Sequence, residues 1–377
     1  MHKLKTIHLH SDVKFIDDTR SFENDRFANT VIILGEKGTY KGYYEKNALY
    51  YRFSFKQLRK IINYCKSADL VILYNLDFSK SFIANRLPGT VKVAWRFFGL
   101  ELYSKIPDEV FSSLSVMHLE PSNTTWFSYL IKQMGPFKFK QLIKRLEFIR
   151  AINRIDSFWG VSDYEYAALK RKWPRLPEFV QLPFHEKETK YFTINKKKNE
   201  IIIGNSRNRY NNHLDIIKII TKCRNKDKYD YFVFFSYGPL NNYTKAVRET
   251  AADVKKVKFI DEFLSDEEFR EVYRNASAFV MNSYRQMAMG NIFTAFRNGV
   301  KVYLNKRNII YDWLIKEGFM IYSVEDFTAD IEDNNITLSS EDMKYNINQY
   351  HKMTRIYNIL DFQSKIYNSN RVDNSTL

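Results

Sequence analysis

Short apolar runs of strand length alternate with stretches of helical periodicity, and this alternation limits the folds open to the chain. In the first half, VIILG (31–35), DLVILYN (69–75) and VKVAWRFFG (91–99) are strand-like, whereas SFKQLRKIINYCKSA (54–68) places apolar residues at helical spacing. Strands that are apolar on both faces need helices on both sides of their sheet. The alternation therefore predicts a parallel sheet in an α/β domain.

The same alternation begins again after the polar, lysine-rich run HEKETKYFTINKKKNE (185–200). A chain of 377 residues exceeds what one hydrophobic core usually organises, which agrees with two doubly wound domains of similar size. The strand-like runs of the second half are EIIIGNS (200–206), DYFVFFSYG (230–238), SAFVMNS (277–283) and KVYLN (301–305). The predicted boundaries are an N-terminal domain at 1–183, a linker at 184–199, a C-terminal domain at 200–340, and a long helix with a tail at 341–377.

The charge balance favours a polyanionic partner. The chain has 59 basic and 43 acidic residues, a net charge of +16, which suits nucleic acid, an anionic membrane surface or phosphorylated substrates. A general lysine and asparagine richness of the source proteome is the alternative explanation. The total charge alone does not choose between these classes.

Cysteine usage and apolar run lengths indicate the compartment. The two cysteines, Cys65 and Cys223, are too few for a disulfide framework, and neither lies in a CxxC pair. The first residues, MHKLKTIHLHSDVKF, lack the apolar core of a secretory leader, and no run is long enough for a spanning helix. We expect a cytoplasmic protein.

One segment, 126–154, concentrates basic and aromatic residues and carries a local charge of +6. An amphipathic basic helix of this kind suits the headgroup zone of an anionic membrane. The alternative is a core-facing helix with a solvated basic face. The predicted membrane-surface residues are Trp126, Lys138, Lys140, Lys144 and Arg145.

Three loops of the second domain follow strands directly and contain glycine. Open parallel sheets bind ligands at such loops, beyond the carboxyl ends of the strands. The three loops are GNSRNR (204–209), SYGP (236–239) and SYRQMAMGN (283–291). In the third, a strand end, Arg285, Gly290 and a new helix N-terminus converge. Arg285 and the amides near Gly290 and Asn291 are suited to hold a nucleoside diphosphate.

Such a diphosphate cradle needs no metal or other cofactor, and none is predicted. The sequence contains no Asp-x-Asp tripeptide to supply magnesium ligands. It also lacks a complete GxGxxG or GxxxxGK[ST] motif, which disfavours a conventional dinucleotide-binding or P-loop enzyme.

These residues carry a family resemblance. The segments at 201–213, 235–249 and 284–314, together with HLHSD (8–12) and WRFFGLELY (95–103), resemble the bacterial TDP-N-acetylfucosamine:lipid II N-acetylfucosaminyltransferases of enterobacterial common antigen synthesis. The resemblance spans most of the chain. It implies a metal-independent GT-B glycosyltransferase with two Rossmann-like domains facing each other across a cleft, the nucleotide being held by the C-terminal domain.

The resemblance also indicates which side chains approach the donor. Residues 204–206 and His213 are expected on the nucleotide side with Tyr237 and Gly238 beside them, and residues of 285–291 near the diphosphate. Together with their neighbours in the three loops, the predicted donor-binding residues are Gly204, Asn205, Ser206, Arg209, His213, Ser236, Tyr237, Gly238, Tyr284, Arg285, Gln286, Met289, Gly290 and Asn291.

A transferase that displaces the nucleotide directly needs a base near the acceptor hydroxyl. Glu101 and Asp12 both follow strands of the first domain, and Glu101 is the first choice. The family pattern has aspartate where this chain has Glu101 and histidine where it has Arg96, which alters the expected acceptor geometry. A helix N-terminal or turn-capping role is the alternative for each acid, and His10 and His213 are further candidate bases.

The favoured function is transfer of a deoxy or deoxyamino sugar from a nucleoside diphosphate donor, a TDP-sugar by the resemblance, to a lipid-linked saccharide. The enzyme would work at the cytoplasmic face of the inner membrane. The charge leaves open a nucleic-acid-binding protein, although no recognition motif supports one. A catalytically inactive sugar-binding protein or scaffold is the third interpretation.

Overall fold

Each half of the alternation forms its own parallel β-sheet, and the chain divides around these sheets into two units. The computed structural model describes residues 3–118, 135–184 and 196–370. Unit 1 comprises Met1–Glu101, Thr124–His185 and Tyr357–Leu377, and unit 2 comprises Leu102–Asn123 and Glu186–Ile356. The predicted pair of parallel α/β domains is confirmed.

The segment 102–118 belongs to unit 2, although the predicted boundary at 183 placed it in the first domain. The reason is local packing. The ring of Phe111 stacks on Tyr210 with centroids 4.7 Å apart, and the backbone N–H of Ser112 donates to Oδ1 of Asn212 at 3.0 Å. The chain thus contributes a short piece of its first half to the second unit.

Unit 1 is built on a seven-stranded sheet with the strand order β3-β2-β1-β4-β5-β6-β7, and every pair is parallel. The central strands carry its core, and the short strands at 49–51, 157–160 and 178–181 extend the sheet beyond those predicted from the sequence. The strands are β1 (Leu4–His10), β2 (Phe27–Leu34), β3 (Leu49–Tyr51), β4 (Leu70–Tyr74), β5 (Lys92–Arg96), β6 (Ser157–Gly160) and β7 (Glu178–Gln181).

Burial explains why these segments adopt their conformations. All five residues of β4 are buried, as expected for a strand that helices cover on both faces. The helix at 55–65 begins where Ser54 accepts a hydrogen bond from the amide of Gln57, and its buried residues recur at helical spacing. The helices before residue 185 are α1 (Phe55–Cys65), α2 (Phe78–Ala84), α3 (Leu100–Tyr103), α4 (Pro107–Val110), α5 (Ser113–Met117), α6 (Gly135–Arg154) and α7 (Asp163–Lys172).

Unit 2 is built on a six-stranded parallel sheet with the strand order β10-β9-β8-β11-β12-β13. Its strands are β8 (Glu200–Ile203), β9 (Asp230–Phe234), β10 (Val257–Ile260), β11 (Ala278–Met281), β12 (Lys301–Leu304) and β13 (Tyr322–Ser323). The helices that follow β8 are α8 (His213–Lys222), α9 (Asn242–Ala251), α10 (Asp266–Asn275), α11 (Met289–Arg297), α12 (Ile310–Lys316) and α13 (Val324–Glu332).

The predicted long C-terminal helix is present as two consecutive helices, α14 (Ser340–Ile356) and α15 (Ile359–Asn370). They belong to different units, because unit 1 resumes at Tyr357. Phe362 and Ile366 of α15 join the core cluster of unit 1 that also contains Trp159. The end of the chain therefore completes the first unit.

A buried histidine links stability to pH. His8, in the centre of the unit 1 sheet, is fully buried and is hydrogen-bonded through Nδ1 to the hydroxyl of Tyr74 at 3.1 Å and through Nε2 to Oδ1 of Asn29 at 3.0 Å. Burial lowers the pKa of His8 from 6.5 to about 4. The folded protein holds this imidazole neutral at a pH where the unfolded chain protonates it.

We expect the free energy of unfolding to fall as the pH drops from 6.5 towards about 4, the two pKa values of His8. The unfolded chain binds the proton first, so the contribution of His8 is complete above that window and lost within it, by up to about 3 kcal/mol. His8→Gln, which keeps hydrogen-bonding atoms but does not titrate, should flatten this part of the profile in denaturant unfolding.

The matched control for this prediction is His351→Gln, at a half-buried position on α14. This control should leave the acid limb of the profile unchanged. An unaltered acid limb in the His8 variant would assign the acid sensitivity to other groups.

Candidate functional site

The strand order of unit 2 creates a switch point beside β8. The neighbours of β8 are β9 and β11, so the connections that leave these strands run in opposite directions along the sheet. In open α/β sheets, a crevice forms at this point outside the carboxyl ends of the strands and binds ligands. The three predicted donor loops follow β8, β9 and β11 and are therefore brought together at one edge.

Gly204 lets the first loop pass directly over His213. Its φ is +65°, and a Cβ there would lie 2.5 Å from Nε2 of His213, so a side chain is excluded. His213 is fully buried, and its burial lowers the pKa of the imidazole to about 3. We predicted that His213 contacts the nucleotide. In the structure its neutral ring lies beneath the first loop and packs against Gly204.

The first and second loops are joined by hydrogen bonds. Nδ2 of Asn205 donates to the hydroxyl of Tyr237 at 2.8 Å, and the amide of Arg207 donates to the Tyr237 carbonyl at 2.9 Å. Ser206 is buried between them, and Ser236 is half-buried. Gly238 has a φ of +117° and is exposed. The two loops form one ordered surface.

Tyr237 also forms an aromatic pair that the sequence analysis missed. Its ring and that of Phe263 are parallel within 3°, with centroids 5.7 Å apart. Phe263 is 73% exposed, in the loop after β10. The exposed ring of Phe263 at this edge is suited to stacking on a planar ligand such as a nucleobase.

The third loop ends in a helix N-terminus that no described side chain caps. Ala288 has a φ of +58° and precedes α11, whose first-turn amides have no partners within the helix. A Cβ added at Gly290 would meet nothing within 4 Å, so the space beside this turn is open. Met289 is half-buried, and Nδ2 of Asn291 donates to the hydroxyl of Tyr273 at 2.9 Å. The backbone, more than the side chains, offers hydrogen-bond donors here.

Arg285 lies inside this edge. It is 7% exposed, and its guanidinium carbon lies 4.6 Å from the ring centroid of Tyr210 and 5.4 Å from that of Tyr103. Its Nη1 donates to the carbonyl of Gln286 at 3.1 Å. The cation is therefore held in a fixed position between two aromatic rings and the backbone of its own loop.

Two further arginines border the edge. The guanidinium of Arg209 lies 4.9 Å from the ring of Phe111. That of Arg307, which the sequence analysis did not select, lies 4.0 Å from the ring of Tyr284. Tyr284 and Arg307 line an open cavity of about 430 Å³ that Asp215 and Ser112 also border. The segment 102–118 therefore forms part of the wall at this edge.

In unit 1, a buried lysine connects the loops at the carboxyl ends of the central strands. Nζ of Lys80 is fully buried and donates to Oγ of Ser11 at 2.5 Å, to Oδ1 of Asn75 at 2.8 Å and to Oδ2 of Asp77 at 2.7 Å. These acceptors satisfy all three of its donor positions. Sequence analysis did not find Lys80, since a lone lysine in a helix is usually exposed.

The two candidate bases differ in environment. Asp12 is exposed and caps the 3₁₀ helix that follows β1, with its carboxylate accepting from the amide of Lys14 at 3.0 Å. Glu101 accepts from Nε1 of Trp95 and from the amide of Phe98, both at 3.3 Å. Its Oε2 is buried without a hydrogen-bond partner among the described residues.

Burial raises the pKa of Glu101, the direction that prepares a carboxylate to accept a proton near neutral pH. Of the alternative bases, His10 is buried, and burial holds the pKa of His10 well below its usual value. His10 stacks on Tyr74 at 3.8 Å. His10 and His213 are thus both enclosed rings, whereas Glu101 has one carboxylate oxygen left for a further hydrogen bond.

Helix α6 exposes an apolar stripe. Its inward face buries Phe148, Ala151 and Ile152, whereas its opposite side leaves large apolar side chains in solvent at spacings of three and four residues. Lys140, Lys144 and Arg145 are exposed on the same helix. The backbone of Lys138 lies in α6, and Trp126 lies outside the described residues. The exposed apolar residues are Phe139, Leu142, Ile143, Leu146 and Ile149.

The described ranges contain neither a cluster of metal ligands nor a helix that could span a membrane. No three His, Cys, Asp or Glu side chains of these residues are grouped so that they could hold a metal ion. Among the helices described, none has both the length and the apolarity required to cross a bilayer.

Comparison with solved structures identifies the fold. A glycosyltransferase from Rickettsia africae is 13% identical over 100% of both chains, with a TM-score of 0.65. HepE of Anabaena in complex with UDP and glucose is 12% identical over 97% of this chain and 99% of that chain, with a TM-score of 0.64. WaaG, a glycosyltransferase involved in lipopolysaccharide biosynthesis, is 11% identical over 97% and 99%, with a TM-score of 0.59.

No protein-family model and no curated protein matches the sequence. The structural likeness, together with the two parallel α/β units, confirms the predicted GT-B fold. At these identities the likeness establishes the fold alone.

Proposed function

We propose that the protein is a glycosyltransferase that moves a sugar from a nucleoside diphosphate donor to a lipid-linked saccharide. The observation that carries the proposal is the uncapped first turn of α11, which opens beside the Gly204 loop at the switch point of the unit 2 sheet. Amides in this position bind phosphate groups and stabilise charge on a leaving diphosphate. The HepE structure with UDP and glucose supports a nucleotide-sugar ligand.

The donor site as proposed has three parts. The amides around Gly290 hold the diphosphate without a divalent cation. Arg285 adds a fixed positive charge behind them, and Phe263 with Tyr237 stacks on the nucleobase. From the sequence resemblance we propose a TDP-linked deoxy or deoxyamino sugar as the donor, with the surface polysaccharides of bacteria as the product class.

Glu101 is the proposed general base. The acceptor hydroxyl oxygen forms a bond to the anomeric carbon, the bond from that carbon to the diphosphate oxygen breaks, and the hydroxyl proton passes to Oε2 of Glu101. The nucleoside diphosphate leaves with the electron pair. The raised pKa of Glu101 and its unpartnered oxygen support this role.

Helix α6 is the proposed membrane contact. Its exposed apolar stripe includes Phe139, which is 63% exposed, and exposed cations lie on the same helix. An apolar face together with Lys and Arg suits the headgroup zone of an anionic bilayer, where a lipid-linked acceptor resides. The alternative of a core-facing helix accounts for its buried side but not for the exposed stripe.

A nucleotide screen by thermal shift tests the donor site. We expect TDP to raise the melting temperature more than UDP, GDP or CMP, as the sequence resemblance implies. A ligand that binds only the folded state adds about 2.7 kcal/mol to the free energy of unfolding at a hundred times its Kd. Gly290→Ala should leave the free protein folded, since its Cβ meets nothing within 4 Å, but should reduce the shift by crowding the diphosphate.

Gly89→Ala is the matched control, because a Cβ at Gly89 in unit 1 likewise meets nothing within 4 Å. It should leave the nucleotide-induced shift intact. The absence of any shift with all four nucleotides would contradict the proposed donor site.

Glu101→Gln should abolish release of TDP from a TDP-sugar in the presence of a bacterial lipid extract, while TDP binding persists. The amide preserves the shape of the side chain but cannot accept the proton. It also removes a buried ionisable group, so we expect equal or greater stability at neutral pH. Near-normal turnover in this variant, with turnover lost in Asp12→Asn, would assign the base to Asp12.

Replacing Lys140, Lys144 and Arg145 with Gln should lower the affinity for phosphatidylglycerol vesicles roughly a hundredfold, because each cation near the surface contributes about 1 kcal/mol. Cosedimentation with the vesicles measures this affinity. TDP binding should be unchanged, because the substituted residues belong to unit 1.

The matched control for the vesicle experiment removes the same charge from exposed lysines of unit 2, with Lys222, Lys255 and Lys256 changed to Gln. Equal losses in the two triple variants would show that net charge, rather than α6, determines vesicle binding.

A further inference from the structure

The buried ammonium of Lys80 anchors the loop that follows β4 on both sides of Leu76. Its Nζ donates to Oδ1 of Asn75 and to Oδ2 of Asp77. These two acceptors are the chain neighbours of Leu76. Asp77 also caps α2, because its Oδ1 accepts from the amide of Lys80 at 3.0 Å. The loop at 75–77 is therefore fixed to the first turn of α2.

The backbone of the same loop adopts a conformation that needs such support. Asn75 has a φ of +67°, in the left-handed region, where a residue other than glycine carries strain that surrounding contacts must hold in place. Its amide donates to the carbonyl of Arg96 at 3.0 Å. This bond ties the loop after β4 to the end of β5, five residues before Glu101.

Glu101 lies close to both the loop and the ammonium. Burial raises the pKa of Glu101, and hydrogen bonding from its surroundings, including the backbone of Leu76, opposes that rise. Burial likewise lowers the pKa of Lys80, and the carboxylates of Asp77 and Glu101 oppose that fall. The other charged or titratable groups around this edge are Asp12, His10 and Arg96. The loop and the cation thus both favour the ionised form of the Glu101 carboxylate.

We infer that Lys80 is a positioning residue for the proposed base Glu101, an inference that rests on the proposed function. Its ammonium holds the loop at 75–77 against the carboxyl group and places a fixed positive charge behind it. Oε2 of Glu101 has no hydrogen-bond partner among the described residues, so the influence passes through the loop and through the charge, and the carboxylate oxygen stays open for a proton.

The experiment is an NMR titration of the full chain with ¹³C-labelled glutamate carboxyl groups, in which the Glu101 signal is identified by its loss in Glu101→Gln. We expect Lys80→Met to move the Glu101 titration about one pH unit upwards, because the carboxylate loses a nearby opposite charge. The acid limb of TDP release from a TDP-sugar should move with it, lowering turnover about tenfold there, since only the ionised carboxylate accepts the proton.

Asn75→Gly is the second variant, and it decides the question if Lys80→Met does not fold. Glycine keeps the left-handed backbone but removes the acceptor Oδ1, so the loop loosens while the buried ammonium stays. We expect the Glu101 titration to move in the same direction as in Lys80→Met, by a smaller amount.

Unit 2 offers a matched control for each variant. There, Nζ of Lys228 donates to Oδ1 of Asn334 at 2.9 Å, and Asn334 has a φ of +57°. Lys228→Met and Asn334→Gly remove the same types of contact and should leave the Glu101 titration unchanged. A Lys80→Met protein that unfolds more easily but titrates Glu101 normally would assign Lys80 to the fold alone and overturn the inference, as would an unmoved titration in Asn75→Gly.

The two measurements separate this inference from the proposed function. TDP release by the unaltered chain, together with an unmoved Glu101 titration in the variants, would reject the positioning role alone. A moved titration without TDP release by the unaltered chain would support the coupling of Lys80 to Glu101 while rejecting the transferase.

Discussion

Parallel strand pairing is the constraint on which both candidate sites depend. In each sheet it aligns the carboxyl ends of all strands at one edge, so loops that are far apart in sequence meet there. In unit 2, the loops after β8, β9 and β11 bring backbone amides, glycines and an enclosed arginine together. In unit 1, the corresponding edge carries Glu101 and the ion pair of Arg96 with Asp18. Helices on both faces leave these edges as the open surfaces of the sheets.

The two edges are held in shape by different means. In unit 1, the ammonium of Lys80 is enclosed by three oxygen acceptors from the loops after β1 and β4. Breaking these hydrogen bonds would leave a buried positive charge without solvent or partners. We therefore expect these loops to be among the more rigid parts of unit 1. In unit 2, close packing holds the loops in place, for example where Gly204 lies against His213. One edge is ordered by charge and the other by steric fit.

Sequence periodicity was sufficient for the fold class and for most strands, because long apolar runs such as β4 leave little alternative. It missed β3, β6, β7 and β13, because the segments LYY, SFWG, EFVQ and YS contain no continuous aliphatic run. It placed 102–118 with the first domain, since contacts such as that of Phe111 with Tyr210 join residues far apart in sequence. The three predicted loops lie together at one edge of the unit 2 sheet, but Phe263, Arg307 and Lys80 could not be selected, because tertiary packing determines their exposure.

The left-handed backbone at Ala288 has a consequence for how this chain can vary. A residue with a Cβ in that region carries about 1 kcal/mol or more of steric strain, which the surrounding packing must offset. Glycine, asparagine and aspartate tolerate the same dihedral angles, whereas valine, isoleucine and threonine do not. We therefore expect position 288 to accept glycine, alanine, asparagine or aspartate, and a β-branched residue there would require α11 to begin differently.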